Sequence, residues 1–156
     1  MLFRSSRGTA KSYLGDLREA INDWSHAIRL KPDDAEAYYN RGFAQANLGD
    51  FRGAINDWNE AIRLNPDYAE AYNNRGSAKS RLGDKRGALS DYDAAIRIKP
   101  DYAETYNNRG GVKLDLGDKK GALIDTRKAA QLFRDQGNSN GYQNAVQGIE
   151  MIERSL

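Results

Sequence analysis

Apolar and polar residues alternate with a helical period along most of the chain. In the segment 50–64, the apolar side chains are those of Ala54, Ile55, Trp58, Ala61 and Ile62. Their spacing of i, i+1, i+4, i+7 and i+8 places them on one stripe of an amphipathic helix. Another helix is predicted just upstream, from about Ala35 to Leu48, and Gly49 supplies the left-handed conformation that ends many helices. With Asp50 as the next N-cap, the pattern predicts a helix, a tight turn and a second helix.

This pair of helices is repeated. The phrase that begins at Pro32 returns at Pro66 and at Pro100, a period of 34 residues. Four copies are predicted, and they comprise residues 1–34 (with an atypical start), 35–68, 69–102 and 103–136. Residues 137–156 then predict a capping helix, because their apolar residues again form one helical stripe. That stripe consists of Tyr142, Ala145, Val146, Ile149 and Ile152.

Polar and small residues recur at fixed places in the copies. Three aspartate–glutamate pairs have capping-box spacing before a first helix, namely Asp33 and Glu36, Asp67 and Glu70, and Asp101 and Glu104. A glycine recurs midway along the first helix, at positions 8, 42, 76 and 110. Glycine inside a helix costs about 1 kcal/mol relative to alanine, so its recurrence predicts that another helix backbone passes close by. Stability is then expected to come from stacking between neighbouring helices.

The chain therefore resembles the tetratricopeptide repeat (TPR) family, in particular the near-identical repeats common in bacterial members. The resemblance lies in the 34-residue period, the Gly-Asp turn, the recurrent glycine and alanines, and the closing proline. It implies an all-α fold, a right-handed α-solenoid of helix hairpins with a C-terminal capping helix. It also implies a concave groove, lined by the first helices, that receives peptides or helices of partner proteins.

Composition narrows the function classes. The net charge is only +2, from 24 basic and 22 acidic residues, so no broad basic surface for nucleic acid is expected. The chain has no cysteine, which excludes disulfides and thiolate metal sites. No apolar run approaches the roughly 18 residues of a membrane span, and the N-terminus has no signal-peptide core. We expect a soluble, cytoplasmic protein without membrane insertion.

Catalytic constellations are not apparent in the sequence. His26 is the single histidine, so neither Cys–His nucleophilic chemistry nor the usual zinc ligand sets can be assembled. The glycines follow the turns and contacts of the repeat, and no phosphate-binding glycine motif is present. We expect no enzymatic activity, no cofactor and no metal.

A charged pair recurs in every copy, with an arginine before the glycine of the first helix and an aspartate before the aromatic position of the second. The pairs are Arg7 and Asp23, Arg41 and Asp57, Arg75 and Asp91, and Arg109 and Asp125. A guanidinium on a packing face requires a carboxylate that meets it there. The pattern predicts an internal Arg–Asp ladder. The alternative is that the arginines bind anionic groups of a partner.

The resemblance also points to residues of the binding groove. They are Tyr39, Phe43 and Asn47 in the second copy, Asn73, Asn74, Ser77 and Arg81 in the third, and Asn107, Asn108, Gly111 and Asp115 in the fourth. A row of asparagine amides offers donors and acceptors to the backbone of an extended peptide. The alternative is that the asparagines persist only through repeat duplication.

One TPR subtype captures the C-terminal carboxylates of chaperones with a clamp of lysine, asparagine and arginine. Here the lysine positions hold Ser5, Tyr39, Glu70 and Glu104, so this activity is not expected. The leading hypothesis is a protein–protein interaction scaffold that binds a peptide or helix of an unidentified partner. The alternative is a structural spacer or a self-associating oligomerisation module that acts through the repeat ends, because uncapped apolar ends favour association.

Overall fold

The computed structural model describes residues 2–156, with side chains described from Tyr13 onward. Eight α-helices form in this part of the chain: α1 (Leu2–Leu30), α2 (Ala35–Asn47), α3 (Phe51–Leu64), α4 (Ala69–Arg81), α5 (Lys85–Ile98), α6 (Ala103–Asp115), α7 (Lys119–Asp135) and α8 (Ser139–Arg154). The predicted all-α fold is confirmed. None of the described helices is both long enough and apolar enough to cross a bilayer.

The helices belong to two compact units. Met1–Asp67 contains α1, α2 and α3, and in this unit α2 packs against both of the others. Tyr68–Leu156 contains α4 to α8, in which each helix packs against the next along the chain. Within the second unit, α6 also contacts α4 and α8. The hairpins α4–α5 and α6–α7 therefore stack on each other within one unit.

The turns between paired helices follow the prediction. Gly49, Gly83 and Gly117 have φ angles of +86°, +91° and +85°, a region that glycine adopts without a steric penalty. The aspartate that follows each glycine is the N-cap of the next helix. Its carboxylate accepts the backbone N–H of a glycine three residues further on, at 2.9 Å in all three turns. Each turn thus uses an Asp-x-x-Gly sequence.

The predicted capping boxes are wrong. The N-cap of α2 is Asp34 rather than Asp33, and its Oδ1 accepts the backbone N–H groups of Glu36 and Ala37 at 3.1 and 3.2 Å. The N-caps of α4 and α6 are Tyr68 and Tyr102, and neither side chain caps the helix. The helices begin one residue later than the capping-box spacing requires. The same shift leaves the glutamates of the other two predicted boxes, Glu70 and Glu104, available for other contacts.

The first copy does not form the predicted hairpin, because α1 is one helix from Leu2 to Leu30. Gly15 lies inside α1, at the position where the later copies turn. Glu19 occupies the position of the last residue in the Asp-x-x-Gly turns. At Gly53, Gly87 and Gly121 an added Cβ would overlap the capping carboxylate. The turn as built in the later copies therefore does not accommodate Glu19, which accounts for the continuous helix.

Within each later hairpin, the recurrent glycine permits close packing of the two helices. A Cβ added at Gly42 would lie 2.9 Å from Nε1 of Trp58, and one at Gly76 would lie 2.9 Å from Cε1 of Tyr92. In both hairpins the backbone carbonyl of an alanine is only 3.2 Å from the same point. A larger residue at these glycines would force the paired helices apart.

At the C-terminal end, the last repeat helix is longer than its counterparts and is covered by an additional helix. Arg134 stands where the earlier copies have proline, and α7 continues to Asp135, three residues longer than α5. The helix α8 then packs against α7, where Ala145 joins Ala129 and Ala130 in a buried cluster. Of the stripe predicted for this helix, Ala145 and Ile152 are buried and Tyr142 is exposed.

Candidate functional site

The structure brings together three of the four predicted Arg–Asp pairs, each between the two helices of one hairpin. Nε and Nη2 of Arg41 donate to the two carboxylate oxygens of Asp57, both at 2.7 Å. The corresponding distances are 2.9 and 2.6 Å for Arg75 and Asp91, and 2.8 and 2.7 Å for Arg109 and Asp125. Parallel bidentate bonds of this type are the strongest form of the Arg–carboxylate interaction.

The fourth predicted pair is Arg7 and Asp23. Arg7 lies outside the residues whose side chains are described. Asp23 is exposed on α1.

Each of the three arginines is enclosed by further groups. The guanidinium carbons of Arg41, Arg75 and Arg109 lie 5.7, 5.3 and 5.5 Å from the ring centroids of Tyr38, Tyr72 and Tyr106, which is within cation–π range. In the third and fourth copies a lysine also reaches the aspartate, Lys79 to Asp91 at 3.0 Å and Lys113 to Asp125 at 2.8 Å. The second copy has Gln45 instead, and its buried Oε1 accepts no hydrogen bond from the described residues.

These contacts shift the pKa of three of the paired groups, Arg41, Arg109 and Asp125. The hydrogen bond to Asp57 raises the pKa of Arg41 although burial opposes the shift, and the bond to Asp125 likewise raises the pKa of Arg109, with Asp93 contributing. Burial of Asp125 acts to raise its pKa, but hydrogen bonds from Arg109 and Lys113 outweigh it and lower the pKa overall. Because each of the three described arginines is paired with a carboxylate of its own hairpin, the ladder holds the paired helices together rather than presenting free cations to a ligand.

One predicted groove residue is buried and cannot contact a ligand. Asn73 is 0% exposed. Its Oδ1 accepts hydrogen bonds from Oγ1 of Thr105 at 2.9 Å and from Nδ2 of Asn108 at 3.2 Å. Its Nδ2 donates to Oε1 of Glu104 and to Oδ1 of Asn74, both at 3.3 Å. The assignment of Asn73 to the groove was wrong, because its amide fastens α4 to α6.

Other predicted groove residues line a cleft of about 500 Å³ in the unit Tyr68–Leu156. They are Ser77, Arg81, Asn107, Asn108, Gly111 and Asp115. Sequence reasoning missed several further lining residues, among them Tyr92 from α5 and Met151 from α8. Helices α4, α5, α6 and α8 therefore all contribute to this surface, which we call the α4–α6 cleft.

Polar groups are concentrated at one place in the α4–α6 cleft. The Tyr92 hydroxyl is 3.1 Å from Oγ of Ser77, and Nδ2 of Asn108 is 3.5 Å from the same Oγ. Burial raises the pKa of Tyr92, although its hydrogen bond with Ser77 acts in the opposite direction. The phenol therefore stays protonated at neutral pH and retains a proton that it can donate. At the edge of the cleft, Asp115 accepts a hydrogen bond from Nζ of Lys85 at 2.6 Å.

The predicted groove residues of the second copy lie in the other unit. Tyr39, Phe43 and Asn47 belong to α2, where Phe43 is 52% exposed and Asn47 is also exposed. The backbone carbonyl of Tyr39 accepts a hydrogen bond from Nε1 of Trp58 at 3.2 Å. Asn74 is not among the residues that line the α4–α6 cleft. Within the described residues, no group of three or more His, Cys, Asp or Glu side chains is arranged to hold a metal ion.

Solved structures with the same fold come from several sources. The crystal structure of MamA has a TM-score of 0.72 and 21% sequence identity, and the match covers 95% of each chain. The TPR2B domain of yeast Sti1, in its complex with pHsp70, has a TM-score of 0.75 and 20% identity over 78% of this chain and 98% of that one. PcrH in complex with the chaperone-binding region of PopD has a TM-score of 0.74 and 21% identity over 77% of this chain and 91% of that one. Identities this low establish the shared fold alone.

Sequence comparison identifies the family. No curated protein sequence matches the chain significantly. Family profiles do match it, one described as "TPR repeat" over residues 8–49 and 47–83, and one described as "Tetratricopeptide repeat" over residues 69–102. Together they cover more than half of the chain and agree with the hairpins and turns described above. The chain belongs to the tetratricopeptide repeat family.

Proposed function

We propose that the chain is a protein-interaction scaffold and that the α4–α6 cleft holds an extended segment of a partner protein. The observation that carries the proposal is the cleft itself, whose volume of about 500 Å³ falls within the range of about 300–1,000 Å³ typical of ligand sites. It is lined by residues of four helices. No catalytic step is part of the proposal.

The chemistry of the cleft suits a peptide backbone. The side-chain amide of Asn107 offers donors and an acceptor. Nδ2 of Asn108 already donates within the fold, so Asn108 offers its Oδ1 acceptor, and the paired hydroxyls of Ser77 and Tyr92 add lone pairs. A chain bound in extended conformation presents N–H and C=O groups that need such partners once water is displaced. Polar groups of this kind fix the direction and register of a bound segment.

Apolar contact is available beside these polar groups. Met151 of α8 lines the cleft and is 58% exposed. Methionine has an unbranched and polarisable side chain that adapts to differently shaped apolar groups. Leu114 also lines the cleft. We therefore propose that the bound segment places an apolar side chain between these residues while its backbone pairs with the asparagines.

The position of Glu104 disfavours the carboxylate clamp of the chaperone-binding TPR domains. Glu104, at a position where chaperone-binding TPR domains have a clamp lysine, holds its carboxylate against the amide of Asn73. Within the α4–α6 cleft itself, Asp115 is acidic and pairs with Lys85, and Arg81 is basic. The yeast Sti1 domain and PcrH are each in complex with a segment of another protein, which supports segment binding on this fold without identifying the ligand. The α2 residues Tyr39, Phe43 and Asn47 are proposed as a second contact surface in the unit Met1–Asp67.

The experiment is selection from a displayed library of random peptides on the immobilised full chain. Gly111→Trp places a large side chain in the cleft, at a position where an added Cβ meets nothing within 4 Å. Ile124→Trp is the matched control, since Ile124 of α7 is exposed and does not line the cleft. We expect the selected peptides to bind the wild-type chain and the control equally, and to bind Gly111→Trp at least about tenfold more weakly, a loss of about 1.4 kcal/mol. Equal affinity for all three proteins, or no enrichment of any peptide, would contradict the proposal.

A further inference from the structure

A network of side-chain hydrogen bonds connects α4, α5 and α6 at the α4–α6 cleft. It begins at Glu104, whose Oε1 accepts a hydrogen bond from Nδ2 of the buried Asn73 at 3.3 Å. Oδ1 of Asn73 accepts from Nδ2 of Asn108 at 3.2 Å, and the same Nδ2 donates to Oγ of Ser77 at 3.5 Å. The Tyr92 hydroxyl lies 3.1 Å from that Oγ. We call these five side chains the amide network, and three of them, Ser77, Tyr92 and Asn108, line the cleft.

The direction of the amide network is set at Glu104. A carboxylate can only accept hydrogen bonds, whereas an amide or a hydroxyl can donate or accept. Because Nδ2 of Asn73 must face the carboxylate, Oδ1 of Asn73 is left to accept from Nδ2 of Asn108. Oγ1 of Thr105 also donates to Oδ1 of Asn73 at 2.9 Å, but a hydroxyl adapts to either orientation of an amide. Glu104 therefore selects one orientation for both asparagines.

This orientation determines what Asn108 offers to the cleft. The two N–H groups of its Nδ2 are engaged by Asn73 and Ser77. Its Oδ1 accepts no hydrogen bond from the described part of the chain. Asn108 thus presents an acceptor to the cleft and no donor.

The two hydroxyls of the amide network give the cleft no donor either. Oγ of Ser77 donates its single proton to the backbone carbonyl of Asn73 at 3.2 Å. Tyr92 is then the donor in its contact with Ser77. The polar atoms that remain available at this point of the cleft are oxygen lone pairs.

Asn107 provides a comparison within the same cleft. It lines the cleft, and its side chain has no hydrogen bond to the residues that the structure describes. Its amide can therefore turn to offer either a donor or an acceptor. Of the two neighbouring asparagines, only Asn108 has a fixed polarity.

We propose that Glu104 and Asn73 are positioning residues that make this point of the α4–α6 cleft specific for an N–H donor of the bound segment, which meets Oδ1 of Asn108. The inference rests on the proposed function and deepens it, because it names the group that the segment must supply. A backbone N–H or the N–H of an amide, guanidinium or ammonium side chain satisfies the requirement. A carbonyl or a carboxylate at the same point meets only lone pairs.

Hydrogen exchange of the side-chain amides in the ligand-free, ¹⁵N-labelled full chain tests the amide network by itself. We expect the side-chain N–H groups of Asn73 and Asn108 to exchange at least about threefold more slowly than those of Asn107, because hydrogen bonds hold them. Glu104→Gln keeps the shape of the side chain but replaces the carboxylate with an amide that donates or accepts. The protection of Asn108 should then fall at least about twofold, since both orientations become populated.

Glu70→Gln is the matched control. Glu70 also lies in the first turn of its helix, α4, and its carboxylate is 3.8 Å from Nζ of Lys99 rather than in the amide network. This variant should leave the protection of Asn108 unchanged. Equal exchange of Asn107 and Asn108 in the wild-type chain, or protection of Asn108 that Glu104→Gln does not reduce, would overturn the inference. Circular dichroism checks that both variants retain the helix content.

A library-selected peptide whose binding Gly111→Trp weakens then identifies the donor. In one series each backbone N–H of the peptide is replaced in turn by N–CH₃, and in a second series each donor side chain is replaced by norleucine. We expect one replacement to weaken binding to the wild-type chain and to Glu70→Gln at least about tenfold, and to weaken binding to Glu104→Gln less than about threefold. The series that contains this replacement distinguishes a backbone donor from a side-chain donor.

The two proposals fail in different ways. A peptide that requires the cleft but has no replacement whose effect depends on Glu104 would overturn the inference and leave the proposed function standing. Selected peptides that bind the wild-type chain and Gly111→Trp equally would contradict the proposed function, and the assignment of a donor would fall with it.

Discussion

The Arg–Asp ladder can be tested by neutralising one buried carboxylate without changing its shape. Asp91→Asn is the sharpest choice. Asp91 is 3% exposed and accepts bonds from Nε and Nη2 of Arg75 at 2.9 and 2.6 Å. Nζ of Lys79 lies 3.0 Å from the same carboxylate. The substitution leaves two cations facing a neutral amide that can accept only part of their hydrogen bonds.

The expected destabilisation follows from the burial of the three groups. Removing one partner of a fully buried ion pair costs about 3–5 kcal/mol, because the remaining charge is left unpaired. The side chains of Arg75 and Lys79 are 15% and 23% exposed, so their cations can recover part of their hydration. We therefore expect the free energy of unfolding to fall by about 2–3 kcal/mol.

Asp93→Asn is the matched control. It is the same substitution two residues further along α5, and it also removes an ion pair, the one between Asp93 and Arg109 at 2.8 Å. The Asp93 side chain is 64% exposed, so solvent screens this pair and its loss is expected to cost no more than about 1 kcal/mol. The two variants differ chiefly in the burial of the carboxylate.

The assay is urea unfolding followed by circular dichroism. Both tryptophans, Trp24 and Trp58, belong to the unit Met1–Asp67, so tryptophan fluorescence reports that unit while circular dichroism reports all helices. Repeat arrays can unfold in stages, and comparing the two signals identifies the unit that is destabilised. A loss below about 0.5 kcal/mol for Asp91→Asn, the level of an ordinary surface change, or a loss equal to that of Asp93→Asn would refute the reasoning.

Three further predictions use the same structure. Gly110→Ala should lower the free energy of unfolding by about 1–3 kcal/mol, because its Cβ would lie 2.8 Å from a threonine hydroxyl of α7. Gly111→Ala has open space around it, so it should raise the free energy of unfolding by about 0.5–1 kcal/mol in the same urea titration. The lowered pKa of Asp125 stabilises the folded state fully above the unfolded pKa of aspartate, about 3.9, and this stabilisation is lost as the pH falls below about 3.9. Asp125→Asn should therefore flatten the dependence of the urea midpoint on pH below about pH 4. Gln45→Lys should stabilise the unit Met1–Asp67 by about 1 kcal/mol, measured by tryptophan fluorescence in urea, because it replaces a buried unpaired oxygen with a donor for the aspartate of α3.

The sequence predicted the hairpins of the later copies well because several independent local signals coincide there. The helical stripe, the Gly-Asp turn and the closing proline each restrict the backbone at the same positions. Pairing of Arg75 with Asp91 could also be anticipated, since a guanidinium on a packing face requires a carboxylate. These features depend on interactions within one hairpin, where the spacing along the chain determines which side chains meet.

Features that depend on a single altered residue or on neighbouring hairpins were not predicted. The sequence signal for a continuous α1 was Glu19 in place of the turn glycine, and it was masked by Gly15 and Asp16, which match the repeat. Asn73 has the composition of a ligand-binding residue, but its burial depends on Thr105 and Asn108 of the next hairpin. The repeat pattern could not predict that Met151 lines the cleft, because Met151 belongs to the capping helix that follows the repeats.

Titration of the ¹⁵N-labelled full chain with a library-selected peptide tests the proposed cleft most directly. NMR chemical-shift changes should concentrate at the backbone and side-chain amides of Asn107 and Asn108, at the backbone amide of Gly111 and near Met151. They should be lost in Gly111→Trp. Changes confined to α7 around Ile124, or identical changes in the wild-type chain and Gly111→Trp, would contradict peptide binding in the α4–α6 cleft.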